Sequence, residues 1–167
     1  MYESLKKFKN IVVSGPQRSG TRIASRIIAG DTKKKYIDEK DINFHDFRLL
    51  EWYLNKGNVV IQCPALCHML HYIKDSSTLI VVMIRSIEDI LASERRILWH
   101  KPARFAELYK YGCSEGIISQ IKYDFWNSHQ KLILGDRART IDYEYLKNHP
   151  MFVEQRMRRD FKWDQVK

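Results

Sequence analysis

The sequence predicts an α/β fold, a parallel sheet flanked by helices, on three observations. Three short apolar runs, Ile11–Ser14, Asn58–Gln62 and Thr78–Ile84, are continuously hydrophobic rather than alternating, as expected of strands buried on both faces. Segments with helical spacing follow them, so strands and helices alternate along the chain. The first run leads into a glycine-punctuated turn and then a helix-like segment, NIVVSGPQRSGTR followed by IASRIIAG. At 167 residues the chain suits a single domain, 1–167, large enough to bury a core.

Taken in order, residues 1–9 form a polar lead-in and residues 11–14 the first strand. Thr21 to Ala29 reads as the first helix, closed by Gly30. The polar stretch 31–41 reads as a loop or edge segment. His45 to Asn55 is an amphipathic helix with Phe44, Phe47, Leu50 and Leu54 near helical spacing, stopped at Gly57. Residues 58–62 form the second strand, ended by Pro64, and Ala65 to Lys74 is helical. Residues 78–84 form the strongest strand, and Ile87 to Leu98 continues as a helix. Two helices, 103–111 and 115–132, separate near Gly112. Thr140–Asp142 is a last strand, Tyr143–Lys147 starts a helix, and the tail 150–167 is basic. Ligands of such sheets bind at the carboxyl ends of the strands, which predicts one edge carrying Gly15–Arg22, Cys63-Pro64 and Arg85-Ser86.

The formal charge of +9 implies a polyanionic partner, nucleic acid or a nucleotide with several phosphates. Lys33, Lys34 and Lys35 also fit a solvated face. No apolar run is long enough to span a membrane, and MYESLKKFKN lacks the apolar core of a signal peptide. Three cysteines, Cys63, Cys67 and Cys113, are too few and odd in number for a disulfide framework. The expectation is a cytoplasmic protein.

Strand, glycine-rich loop and helix bring backbone N–H groups and a helix N-terminus onto one anion. Gly15 to Gly20 matches the first part of G-x-x-x-x-G-K-[ST], but Thr21 and Arg22 stand where the lysine and the Mg²⁺-binding hydroxyl belong. The loop is thus a phosphate cradle without the parts of an ordinary ATPase.

PQRSGTR (16–22) resembles the 5′-phosphosulfate loop of the sulfotransferases, roughly P-x-[KR]-S-G-T-T. VVMIRSIEDILAS resembles that family's apolar strand, arginine, and serine eight residues on, here Arg85 and Ser93. IDYEYLKNHP (141–150) and VVIQCPAL (59–66) echo two further segments in the same order. The resemblance implies 3′-phosphoadenosine 5′-phosphosulfate (PAPS) as donor, no metal, and an acceptor hydroxyl or amine the sequence does not name. It implies that Gln17, Arg18, Ser19, Gly20, Thr21 and Arg22 hold the 5′-phosphosulfate, with Arg18 neutralising the bridging oxygen. Arg85 and Ser93 would bind the 3′-phosphate, with Arg156, Arg158 and Arg159 of the tail completing that site. Arg22 departs from the family's second threonine, and Gln62-Cys63-Pro64 lacks the lysine or histidine found there.

A general base must be a carboxylate or imidazole near the loop. Glu39 is the first candidate and His68 another; Asp38, Asp41 and His45 are neighbours of Glu39. Cys63, Cys67, His68 and His71 suggest zinc, but their spacing matches no common structural zinc pattern. Trp52, Trp99, Trp126 and Trp163 read as packing residues. Two alternatives stand beside the sulfotransferase: a P-loop nucleotide kinase, and a nucleotide- or nucleic-acid-binding protein without catalysis. The missing loop lysine, and Arg85 where a Walker aspartate would end the strand, weigh against the kinase. No interface signature fixes the oligomeric state.

Overall fold

The computed structural model describes residues 1–96 and 116–153. Strands β1 (Asn10–Ser14), β2 (Lys35–Ile37), β3 (Val59–Gln62), β4 (Thr78–Ile84) and β5 (Ala138–Asp142) form one sheet in the order β2-β3-β1-β4-β5. Every pairing is parallel, with Ile11 opposite Val60 and Leu79. This is a P-loop type of α/β fold, as the sequence predicts.

Alternation along the strands splits the core in two. Ile11, Val13, Val60, Leu79, Val81 and Met83 pack against α1 (Thr21–Thr32). Val12, Ile61, Ile80 and Val82 pack on the other face against α2 (Phe47–Lys56), a 3₁₀ stretch (Pro64–Tyr72) and the buried Trp126. Among the described residues the other α-helices are α3 (Ile87–Arg96), α4 (Ile117–Phe125), α5 (Lys131–Leu134) and α6 (Tyr143–Leu146). The chain turns to one side of β1 for β2 and β3, and to the other for β4 and β5. The carboxyl end of β1 is therefore the switch point where such sheets bind ligands.

Several boundaries differ from the sequence reading. Helix α1 runs through Gly30 to Thr32 and ends at Lys33, whose φ of 58° is left-handed. Burial of Ile27, Ile28, Ala29 and Thr32 carries the helix past the glycine. A Cβ on Gly30 would lie 3.0 Å from the Met151 side chain, so Gly30 serves close packing and not termination. The stretch read as loop or edge contains the short edge strand β2, then a 3₁₀ turn, Glu39–Ile42, closed by reciprocal capping between Asp38 and Asp41. Helix α2 starts at Phe47, because the Asp46 carboxylate accepts from the N–H groups of Arg48 and Leu49. Residues 64–72 are 3₁₀ and not α-helical. The helix read over 115–132 is broken by a π turn, Trp126–Gln130, between α4 and α5. The helix read over 103–111, Cys113, the end of the one after Arg85, and the tail with Arg156, Arg158 and Arg159 lie outside the described residues. Among the described residues no helix is long and apolar enough to cross a membrane.

Candidate functional site

The loop between β1 and α1 is shaped by its own side chains. Ser14 Oγ donates to the Cys63 carbonyl at 2.9 Å, tying the ends of β1 and β3 together. The buried Ser19 folds the turn back on itself, its Oγ at 2.6 Å and its N–H at 3.2 Å from the Pro16 carbonyl. Gly15 has φ +134°, and a Cβ there would lie 2.8 Å from the Met83 carbonyl of β4. Gly20, the N-cap of α1, has φ +95° and lies under the Tyr143 ring. Having no side chain, Gly20 gives the first-turn N–H groups of α1 no cap. Those donors face the carboxyl end of the sheet, which suits an anion.

A cleft of about 630 Å³ opens over this loop. On its β4 side three sequence-predicted residues meet. The Arg18 guanidinium donates to Ser93 Oγ through Nε at 3.1 Å and Nη2 at 3.0 Å. Arg85 Nη1 donates to the Arg18 carbonyl at 3.0 Å, and its guanidinium lies 4.2 Å over the Tyr143 ring. Arg85 Nε is buried without a hydrogen-bond acceptor, the Asp89 carboxylate standing off at 3.9 Å. A buried guanidinium N–H left unsatisfied in a cleft favours an anionic ligand. The backbone of Arg85 is held by Tyr123 of α4, whose hydroxyl accepts from its N–H at 3.0 Å and donates to its carbonyl at 3.1 Å. Burial pushes the Tyr123 phenol up to about 12, so it stays protonated for both bonds.

The β2 side is acidic and basic by turns. Glu39 lines the cleft, and burial raises its carboxyl above the ordinary range although Arg22 acts to lower it. Arg22 turns out of the loop, with Nε at 3.3 Å from Asp38 and Nη2 at 3.4 Å from Glu39. Gln62, at the end of β3, donates to Thr21 Oγ1 at 3.3 Å. Lys122 of α4 reaches this edge as well, donating to Gln17 Oε1 and, at 3.3 Å, to the Pro64 carbonyl.

The structure thus brings Gln17, Arg18, Gly20, Thr21, Arg22, Glu39, Arg85 and Ser93 to one cleft. Ser19 lies beneath it as a brace of the loop. His68 is exposed and outside the lining; burial and then the charge of Lys122 lower its pKa. Arg18, assigned to the bridging oxygen by sequence, points to Ser93 and so joins the two expected subsites. Cys63 and Cys67 are buried, and burial raises both thiols. Among the described residues no three His, Cys, Asp or Glu side chains converge to hold a metal ion. Sequence reasoning gave no role to Lys122, Tyr123 or Tyr143. A lysine on an amphipathic helix reads as solvated, and the fold alone carries it to a loop 105 positions away.

No protein-family model and no curated protein sequence matches this chain. Solved structures do. Shikimate kinase from Acinetobacter baumannii, in complex with shikimate, is similar at a TM-score of 0.55 and 13% identity, covering 100% of both chains. Shikimate kinase from Bacteroides thetaiotaomicron is similar at 0.54 and 12% identity, over 92% of this chain and 98% of that one. At such identity the likeness establishes the fold.

Proposed function

We propose that this chain is a nucleotide-dependent transferase of the P-loop type, moving a sulfuryl group from PAPS to a hydroxyl or amine. The convergence of Arg85, Arg18 and Ser93 beside the loop carries this reading, above all the buried Arg85 Nε with no acceptor. Amides at the start of α1 suit a 5′-phosphosulfate, and Arg85 with Ser93 suits a second, 3′-phosphate. Sulfuryl transfer, like phosphoryl transfer, asks chiefly for positioning and for charge on the moving group. Fixed cations can supply that charge. Of the carboxylates lining the cleft, Glu39, Asp89 and Glu144, Glu39 is the proposed base, its raised pKa suiting proton uptake from an acceptor.

Phosphoryl transfer is the second reading, and two observations favour it. The two similar structures named above are both kinases. Asp38 and Glu39 also bring carboxylates to the mouth of the loop. Against it, Thr21 and Arg22 replace the lysine and metal-binding hydroxyl of a nucleotide kinase loop, and Arg85 ends β4.

Calorimetric titration with 3′-phosphoadenosine 5′-phosphate (PAP) in EDTA separates the two. Metal-independent binding is expected, and Arg85→Ala should cost about 1.5–3 kcal/mol of it. No binding of PAP, with ATP bound and turned over only with Mg²⁺, would overturn the sulfuryl reading in favour of a kinase. Salt-sensitive binding of DNA without binding of PAP would point to the non-catalytic alternative.

A further inference from the structure

We infer that Lys122 of α4 is the cation that touches the group being transferred, reaching the cradle from outside the loop. This rests on the sulfuryl-transfer reading. The loop carries two arginines, and both lean away from its centre. Arg18 is bound to Ser93 on the β4 side, and Arg22 to Asp38 and Glu39 on the β2 side. Thr21, at the position of a loop lysine, is buried with its hydroxyl on Gln62. Lys122 comes to the edge of the cleft from behind two of its lining residues: its ammonium donates to the Gln17 side chain, at the start of the loop, and at 3.3 Å to the Pro64 carbonyl, just past β3.

Both of those partners are neutral oxygens. An anionic oxygen makes a stronger, charge-assisted partner for an ammonium than either neutral acceptor does. Burial lowers the Lys122 pKa, while Cys67, Glu39 and Glu94 act to raise it. The Gln17 amide is then the partner of the resting site, exchanged for an anionic oxygen of the donor. A purely structural lysine, tying α4 to the loop, is the rival account.

The two differ in what they predict for PAPS and PAP, which share the nucleotide but differ by the sulfuryl group. Calorimetry on Lys122→Met should show at least about a tenfold loss of PAPS affinity and less than about a threefold loss for PAP. Lys122→Arg should keep most of the preference, and Arg85→Ala should weaken both nucleotides alike. Equal losses in Lys122→Met, or none, would overturn the inference while leaving the donor site standing. Wild-type protein that binds neither nucleotide would overturn the underlying reading, and this inference with it. Should Lys122→Met fail to fold, lysine-selective ¹³C NMR of wild type, with Lys122 assigned through Lys122→Arg, replaces it. The Lys122 signal should then shift more with PAPS than with PAP, and identical shifts would overturn the inference.

Discussion

Gly20→Ala tests whether the cradle's backbone is as constrained as its geometry requires. Gly20 has φ +95° and ψ 15°, a left-handed conformation that costs an L-residue about 1–2 kcal/mol. Its new methyl group would also fall 2.4 Å from Tyr143 Cδ2, where carbon atoms prefer about 3.5–4 Å. Tyr143 cannot retreat freely, because its ring lies against Phe152 at 5.7 Å and under the Arg85 guanidinium at 4.2 Å. Overpacking of this kind costs about 1–3 kcal/mol. The two terms together give a loss of about 2–5 kcal/mol in urea unfolding. In a Tyr143→Ala background the clash disappears, and Gly20→Ala should cost only the conformational part, about 1–2 kcal/mol. A double-mutant cycle should therefore show coupling of about 1–3 kcal/mol. If the two changes add to within about 0.5 kcal/mol, Tyr143 does not restrain the loop and the reasoning is wrong.

Arg22→Met should raise the Glu39 pKa further, since burial already pushes it up and Arg22 opposes that push; carboxyl-labelled NMR titration would show it, and a fall would refute the pairing. Asp75 is held down to about 2: burial acts to raise it, and hydrogen bonds from Ser77 and Thr78 prevail. A depressed carboxyl contributes stability that is present above its unfolded pKa, about 4, and lost as pH falls toward 2. Asp75→Asn should thus cost about 1–2 kcal/mol at neutral pH and flatten the acid limb between pH 4 and 2, as followed by urea midpoints. Tyr123→Phe should weaken PAP binding about two- to tenfold by loosening the Arg85 backbone, without removing any cation from the site. Unchanged affinity there would show that Arg85 is placed by its strand alone.

The strands were legible because burial on both faces leaves a sequence mark that needs no partner to interpret: Ile-Val-Val and TLIVVMI admit few other conformations. Residues whose structure depends on distant partners were less so. β2 is three residues long, and only Ile37 of it is buried, so its composition cannot announce a strand that β3 imposes. Gly30 looked like a helix end since glycine caps are common, yet it is small because Met151 lies over it. The carboxyl-edge rule placed the loop, Pro64 and Arg85 together from topology alone, and the meeting of Arg18 with Ser93 follows from it. Lys122 and Tyr123 escaped because their neighbours in sequence carry no hint of the loop they reach.

Fold and side chains bear on different parts of the chemistry, which is why the kinase likeness and the sulfuryl-transfer reading can both be drawn from one site. The parallel sheet and α1 supply an amide cradle that suits any phosphate-like group, whatever then neutralises it. A nucleotide kinase neutralises with a metal, held in part by the hydroxyl at the loop's end. Here Arg22 takes that position and turns to Asp38 and Glu39, while the preceding hydroxyl, Thr21, accepts from Gln62. The cations near the cradle are instead side chains: Arg18 and Arg85 on one side and Lys122 on the other. On the proposed reading, such a site would take an anion that brings no metal with it, one anionic group to each flank. A 3′,5′-substituted nucleotide has that charge pattern, whereas ATP concentrates its charge on one chain and carries Mg²⁺. The proposal of a sulfuryl donor therefore rests on the side chains, and the kinase alternative on the frame that holds them.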